Sequence, residues 1–88
     1  HLFIGKSYHE IGIVWYNKGE YDNALDFYQK SLIIKLETLG FDHPDVSYLY
    51  HNIGDIWYEK GDYDNALDFL QMSKKLAERE RKKGFFDF

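Results

Sequence analysis

Cysteine is absent from this chain of 88 residues, and proline occurs once, at Pro44. Without cysteine the chain can form neither a disulfide framework nor a thiolate metal or redox site. The scarcity of proline favours long helices, because an internal proline removes a backbone donor and clashes with the preceding turn. Aromatic residues make up 19% of the chain, which favours a well-packed protein over a disordered one. We predict a helical protein with a cytoplasmic location.

An excess of positive charge is also missing, since 15 acidic residues outnumber 11 basic ones for a net charge of −4. Nucleic acid and acidic membrane surfaces are therefore not the expected partners. The only basic run, residues 74–83, is interleaved with glutamates and is typical of a solvated helix end. No apolar run approaches the ~18 residues of a membrane span, and no signal-peptide pattern opens the chain. We predict no nucleic-acid partner and no membrane partner.

The heptapeptide YDNALDF occurs twice, at residues 21–27 and at residues 63–69. At that offset of 42 residues, the segment 8–31 pairs with the segment 50–73, and 17 of the 24 positions are identical. A fixed period of this size is typical of stacked repeats. We predict two units, residues 1–42 and 43–84, followed by an apolar tail at residues 85–88.

Each unit is predicted to form two antiparallel helices, because apolar residues recur at the three- and four-residue spacing of one helix face. Gly19 is expected to end the first helix in the left-handed conformation, and Glu20, like its counterpart Asp62, is expected to precede the next helix as its N-cap. Asp42 or His43 is the expected cap of the third helix, with the single proline in its first turn. The predicted helices span residues 3–18, 21–39, 44–60 and 63–83.

Gly12 and Gly54 lie in the middle of predicted helices, where each costs about 1 kcal/mol relative to alanine. We interpret them as points where a neighbouring helix approaches closely, and Ala24 and Ala66 are the expected small partners. The packing face of the first helix is completed by Tyr8, Ile11 and Trp15. The sequence thus indicates a tight antiparallel helix pair that occurs once in each unit.

The pattern aromatic-x-x-Ile-Gly-x-x-Trp followed by Ala-x-x-x-aromatic resembles the tetratricopeptide repeat. In the first unit it is carried by Tyr8, Ile11, Gly12, Trp15, Gly19, Tyr21, Ala24 and Tyr28, and in the second by Tyr50, Ile53, Gly54, Trp57, Gly61, Tyr63, Ala66 and Leu70. The usual period is 34 residues with a proline after the second helix; here the proline is missing and the period is 42. The segment ETLGFDHPDV (37–46) resembles the junction in the repeats of kinesin light chains. The resemblance implies a short right-handed α-solenoid whose role is protein–protein interaction.

In this fold the first helix of each pair lines a concave surface that holds an extended peptide or a helix. The groove residues that the resemblance implies are His9, Ile13, Tyr16 and Asn17 in the first unit and His51, Asp55, Tyr58 and Glu59 in the second. Some family members bind acidic C-termini through groove lysines, an arginine and asparagines. Only Lys6 could contribute a cation here, so we do not expect such a clamp. Asp55 and Glu59 instead suggest a ligand that is neutral or basic in its second half.

Catalysis is not indicated, because no glycine-rich phosphate loop and no catalytic-triad motif is present. His9 and His51 could share a metal across the groove, but two histidines without a further ligand make a poor zinc site. We predict a module without enzymatic activity, metal or cofactor. One alternative is a structural spacer or self-association element without a groove ligand. We expect the isolated chain to self-associate through its terminal faces.

Overall fold

The computed structural model describes residues 2–86, with the side chains of residues 3–81. The described residues form four α-helices: α1 (Leu2–Asn17), α2 (Tyr21–Leu39), α3 (Pro44–Glu59) and α4 (Tyr63–Phe86). No strand occurs among the described residues. The all-α prediction and the order of four helices are therefore confirmed. None of these helices is both long and apolar enough to cross a membrane.

The helix ends follow local backbone chemistry. Gly19 has φ of 79°, and the N–H groups of Gly19 and Glu20 donate to the carbonyls of Tyr16 and Trp15. This pair of bonds is the Schellman motif, and the turn at Gly61 repeats it with φ of 82°. These turns need glycine, because a Cβ makes the left-handed region costly. The predicted glycine cap is therefore confirmed.

The N-cap residues of α3 and α4 make side-chain hydrogen bonds, whereas the N-cap residue of α2 does not. His43 Nδ1 accepts a hydrogen bond from Asp45 N at 3.1 Å, and Asp62 Oδ1 accepts one from Asn65 N at 3.2 Å. Glu20 occupies the N-cap position of α2, as predicted, but its side chain makes no capping hydrogen bond. The longer glutamate side chain fits the cap geometry less well than aspartate, which is among the preferred N-cap residues.

Helix α4 continues to Phe86, three residues beyond its predicted end. Residues 74–83 consist of leucine, alanine, glutamate, lysine and arginine, which are strong helix formers, and they contain no proline. Two of the residues assigned to an apolar tail are therefore helical in their backbone. Phe88 and the side chains of the tail lie outside the described residues.

The helices pack as two antiparallel hairpins, α1 with α2 and α3 with α4, and the hairpins meet where α3 packs on α2. The centre of the core is formed by side chains from both hairpins: Ala24, Tyr28, Leu49, Ile53 and Ile56. Because α3 lies between α2 and α4, its apolar residues are covered from two sides. The junction between the hairpins is thus part of the core.

A serine hydrogen bond ties the two helices of each hairpin together. Ser31 Oγ donates to the Gly5 carbonyl at 2.6 Å, and Ser73 Oγ donates to the Ser47 carbonyl at 2.7 Å. Both members of the second pair are displaced by 42 residues from the first. The repeat therefore conserves a polar contact inside each hairpin as well as the apolar pattern.

The two mid-helix glycines make room for large side chains. A Cβ at Gly12 would lie 2.5 Å from a ring carbon of Tyr28, and a Cβ at Gly54 would lie 2.7 Å from Leu70 Cγ. The predicted close approach is confirmed, but the predicted small partner is wrong, because Ala24 offers only a carbonyl oxygen at 3.4 Å. The cost of glycine is offset by the packing of a ring or a leucine against the bare backbone.

One face of α1 is apolar and uncovered. Ile4, Ile11 and Val14 are 50%, 40% and 58% exposed, whereas the residues 42 positions later, Val46, Ile53 and Ile56, are at most 1% exposed. The prediction that Ile11 packs inside the hairpin is therefore wrong. Its counterpart on α3 is covered because α2 precedes α3 in the stack, and within the described residues no helix precedes α1.

Candidate functional site

A pocket opens where the two hairpins meet. Three helices contribute to it, and its volume is about 170 Å³. Its walls are Ile13 and Tyr16 from α1, Tyr28 from α2, and Tyr48, Asn52 and Asp55 from α3. The residues from α3 follow the spacing i, i+4, i+7, which places them on one stripe of that helix. The pocket therefore exists only because the hairpins stack.

Tyrosines dominate the walls of this pocket. Burial raises the pKa of Tyr28 to about 12, with smaller contributions from Tyr48, Tyr16 and Asp55. Burial, and then the negative charges of Glu59 and Asp55, raise the pKa of Tyr16 above its usual value. Both hydroxyls therefore stay protonated at neutral pH and can donate hydrogen bonds. The carboxylates make the region between α1 and α3 electronegative.

A buried histidine lies beneath the pocket. His9 packs edge-on against Tyr28, with ring centroids 5.5 Å apart, and its ring lies 5.4 Å from that of Tyr48. Lys35 Nζ donates to His9 Nδ1 at 3.2 Å, and the side-chain amide of Asn52 lies 2.7 Å from His9 Nε2. One residue from each of α1, α2 and α3 thus meets at the imidazole. This polar contact fixes how the hairpins are placed relative to each other.

The imidazole is neutral in this setting. Burial, and then the positive charge of Lys35, lower the pKa of His9 to about 4, against the opposing effect of Asp45 and Glu10. Because Nδ1 accepts from the ammonium group, the single ring proton lies on Nε2. The oxygen and nitrogen of an asparagine amide are nearly equal in shape, so the Asn52 amide can be turned by 180°. In that orientation its oxygen accepts a hydrogen bond from the Nε2–H group of His9.

Lys35 is itself only 4% exposed, so its charge needs a partner. Its ammonium group lies 3.7 Å from the carboxylate of Asp45 in the first turn of α3. At the other end of the junction, Lys60 forms an ion pair with Asp22 at the start of α2. The junction is therefore held by contacts between α2 and α3 at both ends, with His9 between them.

The structure distributes the eight predicted groove residues unevenly. Ile13, Tyr16 and Asp55 line the pocket, whereas His9 is buried below it and has no surface for a ligand. The four remaining residues lie at exposed positions of the same two helices: Asn17, His51, Tyr58 and Glu59. His51 also contacts Asp55 of the pocket wall at 3.4 Å. His9 differs from its repeat counterpart His51 because only His9 is covered by a following hairpin.

Two tyrosine pairs stand beside the pocket. The rings of Tyr16 and Tyr21 lie 5.6 Å apart, and the rings of Tyr58 and Tyr63 lie 5.4 Å apart. Each pair joins the end of a first helix to the start of the second helix of the same hairpin. Contact with a neighbouring ring restricts the rotamers of Tyr16 and Tyr58. The loss of side-chain entropy when a ligand orders them would therefore be small.

Sequence reasoning missed three residues of the pocket: Tyr28, Tyr48 and Asn52. Tyr28 was assigned to the repeat pattern of α2, and its exposed fraction of 3% agrees with that role although its edge reaches the pocket. Tyr48 and Asn52 could have been found from their helical spacing to Asp55. Their counterparts in the first unit, Lys6 and Glu10, gave no reason to look there.

Side chains that could bind a metal ion are not clustered in the described part of the chain. Among the described residues, no group of three or more histidine, cysteine, aspartate or glutamate side chains is placed to hold a metal ion. Both ring nitrogens of His9 are engaged by Lys35 and Asn52. A metal shared with His51 would have to displace one of them.

Comparison with known protein families matches the sequence profile of the tetratricopeptide repeat to residues 3–79. Because this match covers most of the chain, the chain belongs to the tetratricopeptide repeat family. Repeats of this family are generally protein–protein interaction modules and are typically not enzymes. A comparison with curated proteins gives no match. The narrower likeness to kinesin light chain repeats stays a prediction.

Proposed function

We propose that the chain is an adaptor that binds an extended peptide or a helix in the groove between α1 and α3. The observation that carries this proposal is the pocket at the hairpin junction, which brings Ile13 and Tyr16 together with Asp55. A cleft lined by aromatic side chains with a few polar groups is the usual form of a recognition site. The ligand would contact both hairpins at once.

The rim of the groove supports the same proposal. Tyr58 is 58% exposed although its ring is held by Tyr63, and Asn17 is exposed at the end of α1. Restricted tyrosines provide large contact area at low entropic cost, and an asparagine amide can both donate to and accept from a peptide backbone. His9 takes part only by supporting the floor of the pocket.

Selection from a displayed library of random peptides tests the proposal. Peptides that bind the wild-type chain are compared on the double variant Tyr16→Ala/Tyr58→Ala and on the control variant Asp26→Asn/Asp68→Asn, whose residues are exposed on α2 and α4. We expect the tyrosine variant to weaken binding by about tenfold or more, and the control to bind as the wild type does. Circular dichroism of all three proteins checks that helicity is unchanged.

The opposite pattern would overturn the proposal. If the selected peptides lose affinity for the aspartate variant and keep it for the tyrosine variant, the binding surface lies on the second helices. If neither variant changes the affinity, the groove is not the recognition site.

Self-association is the second candidate function, and the exposed face of α1 favours it. Ile4, Ile11 and Val14 correspond to three residues of α3 that are buried by the preceding helix. An apolar helix face of this kind is costly to leave in water. We propose that a second copy covers it, since each copy also offers Leu67 and Met72 as exposed apolar residues of α4. Leu76, further along α4, is buried within the chain.

Sedimentation equilibrium measures the mass of the chain in solution and decides this candidate. We expect a dimer or a higher oligomer at micromolar concentration, and we expect Ile11→Asp to return the chain to a monomer near 10.6 kDa. Asp68→Asn serves as the control on an exposed position. If the wild-type chain is a monomer at high concentration, the self-association hypothesis is wrong. The spacer hypothesis and the peptide-binding hypothesis would then remain.

The remaining predictions belong to the same proposal. We propose that the chain acts without enzymatic activity of its own, that its units are residues 1–42 and 43–84, and that it works in the cytoplasm. The internal match of the two hairpins supports the unit boundaries, since equivalent contacts recur at the offset of 42 residues. Expression of residues 1–42 alone tests whether one unit is stable without its neighbour.

A further inference from the structure

The pocket between the hairpins combines three tyrosines with a carboxylate. From this combination we infer that the pocket binds a basic side chain of the peptide ligand, with arginine preferred over lysine. The inference rests on the proposed peptide-binding function and names the chemistry of the residue that enters the pocket. Aromatic faces attract organic cations through their quadrupoles, and a carboxylate nearby adds a direct charge partner.

The arrangement of the walls suits a cation. Tyr48 is 55% exposed at the mouth, Tyr28 closes the inner side, and Tyr16 stands on the opposite helix. Asp55 lies on the same stripe of α3 as Tyr48, and its side chain is 42% exposed. The Asp55 carboxylate is therefore reachable by a ligand group that passes between the rings.

The charges around the pocket are mostly negative or already paired. Among the residues that the structure describes, no lysine or arginine lines the walls. Lys35 lies behind His9 and contacts Asp45. Glu59 adds negative charge beside Tyr16, and after burial it is the next largest cause of the raised pKa of that phenol. A carboxylate ligand would meet Asp55 and Glu59 without a matching cation, whereas a basic ligand would find both charges complementary.

Two groups could compete with the ligand for the pocket. The Asn52 amide is engaged by His9, so it contributes to the floor rather than to recognition. His51 contacts Asp55 at 3.4 Å and compensates its charge only when the imidazole is protonated.

Arginine is preferred for geometric reasons. A guanidinium group is planar, so it stacks on a tyrosine ring while donating two parallel hydrogen bonds to a carboxylate. An ammonium group is a compact and strongly hydrated charge that cannot do both at once. The Tyr28 hydroxyl stays protonated at neutral pH, since burial raises its pKa to about 12, so it does not repel hydrogen-bond acceptors of the ligand backbone.

The experiment uses three blocked pentapeptides with the sequence Gly-Gly-X-Gly-Gly, where X is arginine, lysine or citrulline. Citrulline has the shape of arginine without its charge. Each peptide is titrated into the isotopically labelled chain at pH 8, and amide shifts are followed by NMR. We expect the arginine peptide to shift Tyr48, Asn52 and Asp55 and to bind about tenfold more tightly than the citrulline peptide, with lysine between them.

Two variants and one control complete the test. Asp55→Asn should remove the difference between arginine and citrulline, and Tyr48→Leu should weaken both arginine and lysine. Asp68→Asn, an exposed carboxylate on α4, should leave every affinity unchanged. Both changed residues are at least partly exposed, and circular dichroism confirms that each variant is folded.

The outcomes separate this inference from the proposed function. Equal affinity for arginine and citrulline, or shifts that stay away from α3, would overturn the inference. Library peptides that still depend on Tyr16 and Tyr58 would then show that the groove binds peptides by another chemistry. If those library peptides ignore the tyrosines while the arginine pentapeptide still shifts α3, the pocket binds cations and the peptide groove is wrong.

Discussion

Replacing His9 by glutamine gives a direct measure of the polar contact at the hairpin junction. Glutamine can accept from Lys35 and donate to Asn52, but it does not titrate. In the wild-type chain, burial and Lys35 lower the pKa of His9 from 6.5 to about 4. Between these two values the unfolded chain binds a proton that the folded chain does not bind, so acid favours unfolding.

The size of the effect follows from the two pKa values. The contribution of His9 is present in full well above pH 6.5 and is lost as the pH falls towards the folded-state pKa of about 4. At 1.36 kcal/mol for each unit of pKa difference, the loss amounts to about 2 kcal/mol by pH 5 and about 3 kcal/mol by pH 4. That is a large share of the stability of a small domain.

Urea denaturation followed by circular dichroism measures this loss. The wild-type chain and His9→Gln are compared at pH 7.5, 6, 5 and 4, and only the difference between them is interpreted, because carboxylates and the other histidines titrate in both. We expect the wild type to lose about 2 kcal/mol more than the variant by pH 5. If the two proteins lose stability in parallel, His9 titrates alike in the folded and unfolded chains, and the buried neutral imidazole is wrong.

Three further substitutions test packing and charge. Gly54→Leu should destabilise the chain by about 1–3 kcal/mol in thermal denaturation, because even a Cβ would lie 2.7 Å from Leu70; an unchanged melting temperature would contradict the close packing. Ser31→Ala should lower the free energy of unfolding by about 1 kcal/mol, whereas Ser7→Ala, at an exposed position, should leave it almost unchanged. Equal effects of the two substitutions would show that the buried hydrogen bond does not stabilise the fold. Asp22→Asn should change the free energy of unfolding by less than ~1 kcal/mol, because Asp22 is 86% exposed; a larger loss would show that its ion pair is more than a surface contact.

The fold could be predicted from the sequence because its determinants are local. Gly19 and Gly61 mark the turns through their backbone conformation, and His43 with Pro44 starts α3. Each of these signals acts within a few residues of the chain. The extension of α4 to Phe86 was missed because a run of strong helix formers gives no sharp end.

The candidate site was harder to predict, because it depends on contacts between hairpins. His9 and His51 occupy equivalent positions of the repeat, each directly after a tyrosine, yet one is buried under the junction and the other is exposed. Tyr28 was assigned to the repeat pattern of α2. Its ring packs beside Gly12 and also lines the pocket. Such differences follow from which helix precedes or follows each hairpin, and repeat periodicity alone does not contain that information.

The lining of the pocket has a consequence for the order of the two hairpins. Of its six residues only Tyr16 has the same residue type at the equivalent position, Tyr58. A circularly permuted chain with the α3–α4 hairpin placed first would keep both hairpins and would create a new junction. The residues meeting there would be Asp55, Tyr58, Leu70, Lys6, Glu10 and Ile13. Two of the three tyrosines would be replaced, and a lysine would stand at the mouth. The chain is therefore directional despite its repeated sequence, and a peptide bound as we propose would meet the two hairpins in one order only.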